Sequence, residues 1–136
     1  MKNIKYVALS LMLAFVQIIL VSCDSFLFPS GYVYEWLNPP PGSMNEAYID
    51  STPPSREISG IDGATISFYY PNRSSPFLTA LSKNDGSFQT GGSVNPGKYY
   101  VKVTVEKEGY LTLNTQFWFD GGKTIGADII VFLIGH

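Results

Sequence analysis

Turn residues recur at short intervals after residue 60, and their spacing leaves room only for short strands. Asp85-Gly86 and Asn95-Pro96-Gly97 each separate two runs of apolar residues. Glycine adopts a positive φ without a Cβ clash, so an Asp-Gly pair between apolar runs is a strong hairpin signal. Residues 99–106 then carry three valines at alternate positions, which is the period of a strand with one buried face. This part of the chain is therefore predicted to form a sheet.

Seven segments separated by such turns have the composition of strands: 31–37, 64–70, 77–82, 87–90, 99–106, 110–119 and 128–134. The last is apolar on both faces, so we expect it to lie inside a sheet. Seven short strands joined by turns are typical of a β-sandwich. The predicted fold class is all-β, a seven-stranded sandwich of Greek-key type.

Residues 38–60 interrupt this pattern. They contain Pro39-Pro40-Pro41-Gly42 and Pro53-Pro54, and proline cannot donate to a β-ladder. We predict a Pro-rich insertion without regular pairing, and loops of this length are usually functional or mobile.

The N-terminus has the layout of an export signal. Lys2 and Lys5 precede an apolar segment at 7–21, which is shorter than the roughly 20 residues that span a bilayer. The closing Leu20-Val21-Ser22-Cys23 resembles the lipobox of bacterial lipoproteins. This resemblance implies that residues 1–22 are a cleaved signal peptide and that Cys23 is acylated, with palmitate among the expected chains. The alternatives are an ordinary signal peptide with a chance cysteine and a buried apolar strand of the fold.

Lipidation of Cys23 would make the membrane the first partner and place the protein in the cell envelope. We expect the outer membrane in preference to the inner one, with the side it faces left open. Residues 23–30 are interpreted as a lipidated tether and residues 31–136 as the sandwich domain. Phe26, Leu27 and Phe28 make the tether unusually apolar, so these side chains either dock on the domain or dip into the bilayer surface. Cys23 is the only cysteine, so the mature domain has no disulfide.

The charge balance argues against nucleic acid as a partner. Two of the nine Lys and Arg residues precede Cys23, and all eleven acidic residues follow it. The mature chain thus has seven positive against eleven negative charges, a net charge of −4. Nucleic acids favour clustered Lys and Arg instead.

Five motifs occur in the order of a known family. They resemble the carboxypeptidase regulatory-like domain, a sandwich of the transthyretin-like (prealbumin-like) type: Gly31-Tyr32-Val33, Gly63-Ala64-Thr65-Ile66, Asn84-Asp85-Gly86-Ser87-Phe88, Pro96-Gly97-Lys98-Tyr99 and Gly109-Tyr110. The resemblance implies a non-catalytic accessory role in stabilising, docking or ligand binding. It brings no catalytic residues to this chain.

Residues for catalysis or metal binding are sparse. The single histidine, His136, is the last residue, where we expect a solvated chain end. Asn84 and Asp85 offer too few oxygen ligands for Ca²⁺, which takes six or more. We therefore expect no enzyme, no catalytic residue, no metal and no cofactor.

The best candidate for a ligand face lies on the predicted strand 110–119. If Leu111, Leu113, Phe117 and Phe119 face the core, the outward side chains are Thr112, Asn114, Gln116 and Trp118. The tight turn before this strand makes 99–106 its neighbour, which adds Tyr100 and Lys102. Aromatic rings stack on the C–H faces of sugars, and amides bind their hydroxyls. The alternative is a row of ordinary exposed residues with Trp118 covered by the Pro-rich insertion.

These observations favour a lipid-anchored, non-catalytic envelope protein whose sandwich binds or scaffolds another envelope component. The second hypothesis is a carbohydrate-binding lipoprotein that uses the Trp118 face. A transthyretin-like hydrolase is the third.

Overall fold

The computed structural model describes residues 25–121 and 124–135. The predicted signal peptide, the lipidation site Cys23 and the terminal His136 lie outside the described residues. Among the residues described, there is no helix long and apolar enough to cross a membrane.

Ten strands make up the described chain. They are β1 (Ser25–Trp36), β2 (Glu46–Ile49), β3 (Ile58–Gly60), β4 (Thr65–Tyr69), β5 (Leu78–Leu81), β6 (Ser87–Gln89), β7 (Gly92–Val94), β8 (Lys98–Glu106), β9 (Leu113–Asp120) and β10 (Thr124–Leu133). The all-β class is thus confirmed, with ten strands where the sequence analysis expected seven. The three additional strands are β2, β3 and β7.

Two sheets pack face to face. The six-stranded sheet has the order β2-β10-β1-β3, and β6 and β7 also pair with β1. The four-stranded sheet has the order β5-β4-β8-β9. β10 lies between two neighbours, as its apolar faces predicted. β1 and β10 run parallel over ten paired positions.

The core lies between the sheets and is filled from alternate positions of the long strands. Its largest fully buried side chains include Phe68 of β4, Phe119 of β9, Leu27 of β1 and Ile129 of β10. Alternate side chains of each strand therefore face away from the core, and these outer faces hold the candidate surfaces.

β1 starts at Ser25, six residues before the predicted strand and within the predicted tether. Odd-numbered residues 25 to 33 are buried and even-numbered residues 26 to 32 are exposed, so the strand period is continuous. Pro29 lies within the strand, and its carbonyl accepts a 3.0 Å hydrogen bond from the Thr90 amide. Residues 25–30 belong to the sandwich.

The Pro-rich insertion contributes two strands, contrary to the expectation that it would not pair. β2 pairs antiparallel with β10, and β3 pairs antiparallel with β1. The prolines stand outside both strands, because residues 39–41 precede β2 and residues 53–54 lie between β2 and β3. They prevent pairing only where they occur.

Arg56 fastens the insertion to the six-stranded sheet. Its guanidinium lies 3.9 Å from the centroid of the Trp36 ring and 4.7 Å from that of Phe132. Nη1 forms an ion pair with Glu46 at 2.7 Å, and Nη2 donates to the Tyr48 hydroxyl at 3.3 Å. Tyr48 in turn donates to Glu46 at 2.7 Å, and this bond together with Arg56 lowers the pKa of Glu46.

Candidate functional site

Most of the predicted ligand residues come together on the outer face of the four-stranded sheet. Antiparallel pairing of β8 with β9 sets Tyr100 opposite Trp118 and Lys102 opposite Gln116. Asn114 follows on the same side of β9. Directly paired residues of an antiparallel sheet project from the same face. Five of the six predicted side chains therefore form one surface, which we name the β8–β9 face.

An aromatic pair occupies one end of the β8–β9 face. The rings of Tyr100 and Trp118 meet edge to face, with centroids 5.0 Å apart and an interplanar angle of 70°. Trp118 is 55% exposed, so the insertion does not cover it as the alternative interpretation required. The insertion packs on the other sheet through Arg56 instead. An indole is available for stacking at this end.

A shallow groove of about 510 Å³ adjoins the aromatic pair. Its lining includes three predicted residues, Lys102, Asn114 and Gln116, and adds Tyr69 and Arg73. Tyr69 enters because β4 pairs with β8 and sets it opposite Lys102. Arg73 comes from the turn after β4, where its amide donates to the Tyr70 carbonyl at 3.3 Å.

The floor of the groove holds an unused hydroxyl. Thr104 lies between Ser67 and Asn114 in the sheet register. Its Oγ1 is buried and has no hydrogen-bond partner among the described residues. A buried hydroxyl without a partner costs free energy that a bound polar group can recover. The groove therefore offers a hydrogen-bonding position at its base.

The groove is electropositive. Lys102 and Arg73 both line it, and neither forms an ion pair with another described residue. Carbonyls, hydroxyls and anionic groups are the ligand chemistry that such cations and the amides of Asn114 and Gln116 bind. Within residues 25–121 and 124–135, no group of three His, Cys, Asp or Glu side chains is arranged to hold a metal ion.

Thr112 is the predicted site residue that does not join this surface. It precedes β9 and lines a neighbouring hollow with Leu111 and Asn45. The prediction that Leu111 faces the core is wrong, since it is 62% exposed. Asn45 accounts for the exposure of Leu111, because its Nδ2 donates to the Leu111 carbonyl at 2.7 Å and holds residues 111–112 outside β9. Alternation therefore begins only at Leu113, which is buried, as is Phe119, while Phe117 is partly buried.

A second surface lies on the outer face of the six-stranded sheet, and the sequence pointed only to its Phe26–Phe28 end, as part of a tether. β1 presents Phe26, Phe28, Tyr32, Tyr34 and Trp36 along one side, and we name this the β1 aromatic row. Phe26 stacks with Phe28 at 6.3 Å between centroids, and Tyr32 stacks with Tyr34 at 5.3 Å. Aromatic residues at alternate positions from 26 to 36, interrupted at Ser30, were the signal in the sequence. It was hidden by assigning residues 25–30 to a tether.

Comparison with known proteins supports the fold alone. No protein-family model matches the sequence, and no curated protein matches it either. The solved structure of 3-chlorocatechol 1,2-dioxygenase from Rhodococcus opacus 1CP is similar, with a TM-score of 0.53 and 10% identity over 84% of this chain. Chlorocatechol 1,2-dioxygenase from Pseudomonas putida gives a TM-score of 0.48 and 11% identity over 80% of this chain. This chain spans 61% of the length of each dioxygenase chain.

The similarity to 3-chlorocatechol 1,2-dioxygenase contradicts the expectation that the chain is not an enzyme. That expectation took the sandwich as the mark of a non-catalytic accessory domain. The similar structure with a TM-score of 0.53 is named as a dioxygenase, which is an enzyme. Of the resemblance to the carboxypeptidase regulatory-like domain, the β-sandwich class is what the structure supports. A sandwich of this kind is therefore no sign of a non-catalytic role.

Proposed function

We propose that this protein is anchored to the cell envelope by acylated Cys23, at the outer membrane, and binds an envelope glycan on its β8–β9 face. The lipobox-like Leu20-Val21-Ser22-Cys23 supports the anchor. The main support for a glycan ligand is that the Tyr100–Trp118 pair lies next to a polar groove on the same face.

We also assign the sandwich to the transthyretin-like, Greek-key type. Support comes from the turns that the family motifs predicted. Gly86 and Gly109 have φ values of 86° and 89°, and Gly97 has a φ of 126°. Residues with a Cβ rarely adopt such values, so glycine is needed at these turns.

The groove and the aromatic pair have complementary tasks in sugar binding. The exposed indole of Trp118 offers an apolar surface for the C–H face of a sugar ring. Gln116 is the next outward residue on β9, about 7 Å along the strand. A sugar stacked on Trp118 therefore places its neighbour over the amides and Lys102. The cations favour glycans with carboxylate or phosphate groups.

The test is glycan-array binding by the full chain and a Trp118→Ala variant. We expect Trp118→Ala to weaken binding at least about tenfold, the usual effect of removing an aromatic side chain that a ligand covers. Lys102→Gln should weaken binding to anionic glycans more than to neutral ones. Tyr32→Ala is the matched control, since it removes an exposed ring from the other sheet. Unchanged glycan binding by Trp118→Ala would falsify the proposal.

A protein partner is the second candidate for the same face. Tyr, Trp and Arg are enriched in protein interfaces, and the face presents Tyr100, Trp118 and Arg73. Capture of an envelope protein from detergent extract that is lost in Trp118→Ala, without glycan binding by the parent, would favour this function.

A further inference from the structure

The anchor-proximal end of the β1 aromatic row is apolar and unusually open. Phe26 is 40% exposed and Phe28 is 48% exposed, and their rings stack nearly parallel, 9° apart. Gly91 makes room for this arrangement, because a Cβ there would lie 2.2 Å from Cδ1 of Phe28. Phenylalanine has no polar group, so both rings gain free energy by leaving water.

Among the described residues, the positions paired with the two rings carry no charge. Phe26 is opposite Thr124 of β10 and Ser93 of β7, and Phe28 is opposite Gly126. The first carboxylate along β10 on this face is Asp128, opposite Ser30. The strand pair is thus uncharged where the phenylalanines lie and charged immediately beyond them.

The short distance to Cys23 identifies what covers this patch. Cys23 precedes Phe26 by three residues, and three residues of extended chain span at most about 11 Å. Acyl chains on Cys23 enter the bilayer, and apolar side chains of interfacial proteins insert about 5–10 Å into the boundary between headgroups and acyl chains. The two rings are within reach of that boundary.

We propose that Phe26 and Phe28 insert into the membrane that holds the Cys23 acyl chains, so that the sandwich is seated on the bilayer and does not swing from a linker. This proposal rests on the proposed lipid anchor. The row changes character with distance from Cys23. Tyr32 and Tyr34 lie about 20 Å or more from Phe26 along the strand, and their hydroxyls suit water. The membrane contact therefore ends between Phe28 and Tyr32.

The test uses the absence of other cysteines in the mature chain. The full chain carrying Phe26→Cys is acylated, reconstituted in liposomes and labelled with a nitroxide at residue 26. The matched control is Tyr32→Cys, on the same strand face and with the same 40% exposure of the native side chain. Collisions with oxygen, which dissolves in lipid, are compared with collisions with a water-soluble nickel chelate. Mass spectrometry reports acylation of Cys23 separately.

We expect the label at residue 26 to collide severalfold more with oxygen and less with nickel than the label at residue 32. Phe28→Cys should give the lipid pattern as well, and it replaces Phe26→Cys if that variant melts well below the parent. Equal nickel access at 26, 28 and 32 in acylated protein overturns the membrane seating and leaves the anchor intact. If Cys23 is not acylated and the chain stays out of the liposomes, both the lipid anchor and the membrane contact of Phe26 and Phe28 are overturned. Labels at 26 and 28 that are shielded from both reagents indicate a protein contact, which also overturns the seating.

Discussion

Replacing Arg56 with glutamine removes the only guanidinium that joins the Pro-rich insertion to the six-stranded sheet among the described residues. The side chain is 12% exposed and lies 3.9 Å from the Trp36 ring and 4.7 Å from the Phe132 ring. A desolvated cation over an aromatic ring contributes up to about 2 kcal/mol, and an exposed one about 0.5–1 kcal/mol. Two partly desolvated contacts therefore contribute roughly 2 kcal/mol.

The ion pair adds a smaller amount. The Glu46 side chain is 36% exposed, so its carboxylate regains water when Arg56 is lost. Because Arg56 is mostly buried, the ion pair contributes near the upper end of the range for surface salt bridges, about 1 kcal/mol. Arg56→Gln should lower the free energy of unfolding by roughly 3 kcal/mol in total, which is a fall of about 10 °C in Tm for a domain of this size. Arg56→Lys keeps the positive charge but lacks the planar guanidinium. It should therefore lower the free energy of unfolding by about half as much as Arg56→Gln.

Urea unfolding and calorimetry of the full chain measure this effect. Arg73→Gln is the control, since Arg73 is exposed and should change stability by less than about 0.5 kcal/mol. A double-mutant cycle with Glu46→Gln isolates the ion-pair coupling, expected at about 1 kcal/mol. If Arg56→Gln has a Tm no lower than that of Arg73→Gln, the contacts of the Arg56 guanidinium do not stabilise the insertion against the sheet.

Three further predictions follow from single contacts. Burial raises the pKa of Tyr99 to about 12, so the protein should lose stability as the pH rises from 10 to 12, by on the order of 2 kcal/mol. Tyr99→Phe should make that alkaline loss smaller in urea titrations at several pH values, and an unchanged slope would contradict the assignment. Hydrogen bonds from the Ser87 hydroxyl and amide lower the pKa of Asp85, so their stabilisation is complete above pH 4 and is lost as the pH falls through the lowered pKa. Asp85→Asn should therefore flatten acid unfolding curves below pH 4, and curves as steep as those of the parent count against it. A Cβ on Gly31 would lie 1.7 Å from a backbone oxygen of β10, so Gly31→Ala should fail to fold, whereas Gly126→Ala, with its nearest atom at 3.9 Å, should fold as the parent does when checked by circular dichroism.

Local signals predicted the second half of the chain well. Gly86 and Gly109 make turns with positive φ, as expected. The hairpin expected at Asp85-Gly86 is wrong, because β5 lies in the four-stranded sheet and β6 pairs with β1 in the other sheet. The strands β4, β5, β6 and β8 lie within two residues of their predicted bounds. β4 pairs with β5, and β8 pairs with β9, so a short window of sequence contains the information for these strands. β6 pairs with the distant β1, and only the turns that flank it indicated its position.

Pairing between distant segments was not predictable in this way. β2 and β3 are only four and three residues long, and they are fixed by β10 and β1. Both strands lie in a segment rich in prolines, and the composition of that segment is typical of a loop. For the same reason the candidate groove was only half foreseen. Lys102 and Gln116 share a hairpin, whereas Tyr69 and Arg73 reach the groove through β4, about 30 residues earlier in the chain.

The parallel pairing of β1 with β10 sets the order in which this domain can be completed. Phe26 pairs with Thr124, so these two positions are 98 residues apart along the chain. Synthesis begins at the N-terminus, so β1 emerges before all the other described strands and stays without its longest partner until β10 has been made. Contacts of such high sequence separation slow folding, and an unpaired strand is prone to aggregation meanwhile. A ribosome that stalls before β10 thus releases a chain whose first strand still has an open edge, and truncation anywhere ahead of Thr124 has the same consequence.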